Sequence, residues 1–87
     1  MKINYEFAVR EIMDEYIFVP MGESALAFSG MITTTEVGAF IWKHLPEAKD
    51  ENELVEKILA EYDTDRETAA ADLAEFLQKL REMDILD

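Results

Sequence analysis

The hydrophobic period changes once along this chain of 87 residues, and that change sets the fold class. From Tyr5 to Ile32 the sequence is rich in Ile, Val, Phe and Tyr, broken at Asp14-Glu15 and at Gly22-Glu23-Ser24 into pieces of strand length. After Gly30 apolar residues recur every three or four positions, the spacing of one helical face. The order predicts an α+β domain with an N-terminal three-stranded antiparallel sheet packed on a three-helix bundle. Antiparallel pairing follows because connections of two or three residues cannot make a parallel crossover. The strands are expected at about 7–13, 16–21 and 25–28, and the helices at about 36–45, 51–62 and 66–83. A chain this short buries only roughly 60 to 65 % of its unfolded surface, so residues 1–87 are read as a single domain serving one core.

Local chemistry supports the helix starts and stops. Thr33-Thr34-Thr35 supplies a hydroxyl N-cap with Glu36 in the first turn, and Val37, Phe40, Ile41 and Leu45 follow on one face until Pro46. Asp50 and Glu53 have capping-box spacing ahead of Leu54, Val55, Ile58, Leu59 and Tyr62. Asp65 opens the last helix, whose stripe is Ala69, Leu73, Phe76, Leu77, Leu80 and Met83. Asp84 stands where a helix ending wants a left-handed residue, with Ile85-Leu86 folding back as the apolar contact. Pro20 cannot donate a ladder bond, so the second strand ends there or turns that side outward.

Composition then removes function classes. There are 20 acidic and 8 basic residues, a formal charge of −12, with 14 of the acids in residues 45–87. Such a surface repels phosphate backbones and anionic lipid, which argues against a nucleic-acid or membrane partner. With no cysteine, disulfide scaffolds, cysteine zinc sites and thiol nucleophiles are excluded. The longest apolar run, Tyr16 to Met21, is far below the roughly 20 residues that span a bilayer, so a soluble cytoplasmic chain is expected. No catalytic set, metal site or cofactor is expected. His44 is read as a cation at a helix C-terminus. Asp63, Asp65 and Glu67 open like a calcium loop, but Thr68 and Ala74 fill the positions that need glycine and an acid. Gly22, Gly30 and Gly38 match no phosphate-binding spacing, and Ser24 and Ser29 do not open a helix as a carrier serine must. Trp42 and the scattered methionines are assigned to packing.

The expected third strand, Ala25-Leu26-Ala27-Phe28, is short, uncharged and free of proline, so it lacks the usual devices that block a sheet edge. An internal element, a second copy of the chain or an incoming peptide could each occupy it.

The sequence also resembles the PqqD family, named for pyrroloquinoline quinone biosynthesis, over about Phe7 to Leu86. The likeness is carried by Ile17-Phe18-Val19-Pro20, by Met31 through Trp42 with its Gly-Ala-Phe-Ile-Trp block, and by Leu54 to Asp63. It continues through Asp72-Leu73, Phe76-Leu77, Leu80 and Ile85-Leu86. Thr34-Thr35 replaces a frequent Leu-Asn pair and Asp84 a frequent glycine; both are compatible with the fold. The resemblance implies a winged-helix-like domain without enzymatic activity. Such a domain holds the leader of a ribosomally made precursor peptide and presents it to a modifying enzyme, most often a radical S-adenosylmethionine enzyme. It further implies that the leader adds as a strand beside Ala25, Leu26, Ala27 and Phe28, with Asp72, Phe76, Lys79 and Met83 of the last helix as the opposite wall. About four to six backbone hydrogen bonds plus one or two buried side chains then give micromolar to tens-of-nanomolar binding. The protein is expected as a monomer or weak dimer. A winged-helix DNA-binding domain or a purely structural, dimerising subunit is the competing reading. For the first of these the last helix is too acidic, with Glu67, Asp72, Glu75 and Glu82 against Arg66, Lys79 and Arg81.

Overall fold

A computed structural model describes residues 2–28 and 32–87. Ser29, Gly30 and Met31, where the sequence changes period, lie outside the described residues, as does Met1. β1 (Phe7–Ile12) and β2 (Glu15–Pro20) form an antiparallel hairpin in which Ile12 pairs with Glu15 and Phe7 with Pro20. Its two loop residues, Met13 and Asp14, have φ of 51° and 71°. Positive φ at both positions is the turn whose twist matches the flanking strands, and it sets the turn one residue earlier than the Asp14-Glu15 break suggested.

The third strand is not where the sequence placed it. Ser24–Ala27 is a single helical turn, α1, and β3 is Ile32–Thr34, paired antiparallel with β2. The N–H groups of Ala25, Leu26 and Phe28 donate to the carbonyls of Gly22, Glu23 and Ser24, so they are already engaged. Ser24, Ala25, Leu26 and Ala27 suit a helical turn at least as well as a strand, and a four-residue apolar run cannot decide between them. A long-range bond decides it: the Ser24 hydroxyl, buried at the start of the turn, accepts from the Glu6 N–H at 2.8 Å. Ile32-Thr33-Thr34, by contrast, is three β-branched residues in a row, which favours extended backbone. The sheet order is β1-β2-β3.

Three helices follow: α2 (Glu36–His44), α3 (Glu51–Glu61) and α4 (Arg66–Glu82). Their caps are those expected. Thr35 accepts from the Gly38 N–H, Asp50 from Glu53 and Asp65 from Thr68. The return bond from Glu53 reaches the Lys49 N–H instead of closing on Asp50. A short 3-10 turn over Leu45–Glu47, with Pro46 inside it, separates α2 from α3. Asp84 adopts φ 59°, and the Ile85 N–H reaches back to the Leu80 carbonyl at 2.9 Å, so the aspartate ends α4 in the way glycine usually does.

One core joins both halves. Phe7, Phe18 and Trp42 pack ring on ring, with centroids 5.2–6.1 Å apart, above Ile41, Leu45, Leu54, Ile58, Leu73, Leu77 and Ile85. Trp42 is thus a core residue, as its spacing predicted. The chain ends are clipped together, with Ile3 bridging Leu86 and the Asn4 N–H donating to the Ile85 carbonyl. The architecture is the α+β arrangement anticipated, with a helical turn inserted before the last strand. No helix among the described residues is long and apolar enough to cross a membrane.

Candidate functional site

Hydrogen-bond parity identifies which backbone groups the sheet leaves unused. The two-residue turn makes Ile12 and Glu15 a bonded pair, so alternation directs Glu15, Ile17 and Val19 toward β1. The Met21 N–H donates to the Glu6 carbonyl, continuing the same parity. Tyr16 and Phe18 therefore face β3, and their partners Thr34 and Ile32 are bonded inward. Thr33 is left with its N–H and C=O on the outer edge of β3, against which no further strand lies among the described residues. The side of Pro20 that lacks an N–H also faces away from β1, two residues beyond the last β2–β3 pair among the described residues.

Beside this edge runs a groove of about 530 Å³. One wall is Ile32 to Thr35 with Val37, Gly38 and Ile41; the other is α4, through Asp72, Glu75, Phe76, Lys79, Leu80, Glu82 and Met83; Phe18 contributes to the floor. Phe18, Ile41 and Leu80 are almost wholly buried and Phe76 is half-buried, its ring edge-on to Phe18 at 6.3 Å. Gly38 makes the close approach possible. A Cβ there would collide with Thr34 Oγ1 and lie 3.2 Å from the Phe76 ring, so a larger residue would force the Thr34 and Phe76 side chains or α2 itself to shift.

The residues named from the sequence divide cleanly. Asp72, Phe76, Lys79 and Met83 all line the groove. Ala25, Leu26, Ala27 and Phe28 do not: Leu26 is 90 % exposed, and Phe28 packs against Tyr5 and Phe7. The strand-side residues absent from the sequence-based site are Ile32, at the end of the strand-rich segment, and Thr33 and Thr34, in the run that supplies the N-cap. Their β-branched run was the available signal.

Other candidate chemistry is structural. His44 lies on Phe40, with ring centroids 4.6 Å apart, in the last turn of α2. The N-cap bonds from Thr68 hold the Asp65 carboxyl below its usual range. Burial and a bond to Glu36 push the Tyr62 phenol up to about 12. Among the described residues no cluster of His, Asp or Glu could hold a metal ion.

Comparison with curated proteins returned no match. A solved structure, TbiB1 in complex with the TbiA(beta) leader peptide, is similar at a TM-score of 0.71 and 32 % identity, covering 100 % of this chain and 95 % of that one. The family model for coenzyme PQQ synthesis protein D matches residues 18–86, a span that contains every groove residue named above, and the chain belongs to this PqqD family.

Proposed function

We propose that this protein is a non-catalytic peptide chaperone of the cytoplasm. It binds the leader segment of a ribosomally synthesised precursor by adding it as a strand beside β3, and presents it to a modifying enzyme of the radical S-adenosylmethionine type. The observation that carries this reading is the pairing of an unused Thr33 N–H and C=O with an adjoining apolar groove. The leader in the TbiB1 complex supports it by analogy.

The short β3 changes the expected energetics. Among the described residues Thr33 offers two bonds and the neighbouring Thr35 N–H a third, at about 1 kcal/mol net each. Two leader side chains buried against the partly exposed Val37, Phe76 and Met83 contribute roughly 1.5–3 kcal/mol each, so the groove matches or outweighs the ladder. Binding is therefore specific to leader side chains and still reversible.

The test is an amide NMR titration with the leader of a precursor peptide encoded beside this chain. Shifts are expected at residues 32–38 and 72–83. Shifts restricted to α3, or to Ala25–Phe28, reject the site.

A further inference from the structure

The charges around the groove are unbalanced. Its α4 wall presents the carboxylates of Asp72, Glu75 and Glu82 and one ammonium, Lys79. Glu82 accepts a hydrogen bond from Gln78, whereas among the described residues Asp72, Glu75 and Lys79 take part in no ion pair; Lys2 pairs with Asp87, Arg66 with Glu56 and Arg81 with Glu51. Asp72 and Glu75 lie about one helical turn apart at the N-terminal end of the wall, with Lys79 roughly 6 Å further along the axis. An occupant lying on the apolar floor therefore meets two exposed, unpaired carboxylates at one end, within a chain of net charge −12. A low-dielectric floor beneath them focuses their field into the groove.

From this imbalance we infer that the groove selects an extended segment in which lysine or arginine accompanies the apolar anchor residues, the cation facing Asp72 and Glu75. This rests on the groove being the leader site and adds the class of leader it takes. An acidic or purely apolar segment of the same shape leaves both carboxylates unpaired or repelled. Exposed pairs are individually weak, so the discrimination is about several-fold in affinity, expressed mainly in association rate and attenuated by salt.

The test is a selection of random 12-residue peptides displayed on phage against the immobilised protein. Bound sequences should be enriched in apolar residues and in Lys plus Arg over Asp plus Glu, relative to the input. On Asp72→Lys/Glu75→Lys that basic-to-acidic ratio should fall by about threefold or more, as the loss of two weak pairs and their replacement by repulsion requires. Glu23→Lys/Glu47→Lys makes the same change in net charge away from the groove and should leave the ratio unchanged. An unaltered ratio in the first variant, or an equal fall in the control, overturns the inference but leaves the groove as a peptide site. Peptide capture that survives Thr33→Pro undiminished overturns the groove reading itself, and the inference with it.

Discussion

The sheet has two margins, built differently. β1 is six residues long and carries Arg10 and Glu11, both exposed; β3 is three residues, Ile-Thr-Thr, without charge or proline. Charged side chains on an edge oppose pairing with another chain, and β3 lacks them. Beside β3 lies the apolar floor of Phe18, Ile41 and Phe76. One margin is thus guarded and the other left open beside a groove. A short open edge offers few backbone bonds, so the adjoining groove must supply selectivity.

Proline substitution separates the two margins with the largest expected effect. By the parity that points Thr33 outward, Phe7, Val9 and Glu11 are the outward residues of β1. Thr33→Pro removes a donor and sets a ring against an incoming strand while sparing the β2 ladder, so leader affinity should fall by about thirtyfold or more. Glu11→Pro makes the same change on the guarded margin and should move affinity less than about twofold. Calorimetric titration of both variants, with thermal melts to confirm folding, reads the difference. Equal losses would erase the distinction between the edges.

A second pair of substitutions asks how β3 is held. Gly38→Ala places a methyl against Thr34 Oγ1 and the Phe76 ring, and overpacking of this kind costs about 1–3 kcal/mol. Thr34→Ala removes the closest atom, so the double variant should recover part of that loss; residues in contact couple non-additively. Chemical denaturation measures the cycle. Additive losses would mean that α2 does not set the position of β3. Leader binding by Gly38→Ala should fall as well, because Phe76 is the second contact and lines the groove.

Most of the fold could be read from local pattern because each helix carries its own start, an oxygen-bearing cap at Thr35, Asp50 and Asp65, and an apolar stripe long enough to fix its period. The left-handed Asp84 was legible from the apolar pair behind it. What failed was the segment between β2 and α2. Ala25–Phe28 is too short for periodicity to discriminate, and its conformation is tied to Glu6, eighteen residues from Ser24, a contact no local rule anticipates. The α4 residues that line the groove, Asp72, Phe76, Lys79 and Met83, came from the family resemblance, and they share one stripe of the helix. The β3 half was missed because threonines before a helix suit both a cap and a strand, and here Thr35 caps while Thr33 and Thr34 pair.

The smallest expected effect is electrostatic. Tyr16 stands on β2 between the margins, opposite Glu11 on one side and Thr34 on the other. Burial raises its phenol pKa first, and Glu11, Glu36 and Asp14 add to the rise; Tyr62 is pushed to about 12 by burial and Glu36. Above pH 10 the unfolded chain gives up these protons while the folded chain retains them, so their stabilising contribution is complete below pH 10 and declines as pH climbs toward 12. Glu11→Gln removes a carboxylate from the guarded margin and should lower the Tyr16 transition seen by phenolate absorbance, whereas Thr33→Ser, with no charge to remove, should leave it in place. Tyr62→Phe should flatten the alkaline decline in denaturation midpoint more than Tyr16→Phe does. A Tyr16 transition equally sensitive to both edge substitutions would show that charge on β1 is not what distinguishes that side of the sheet.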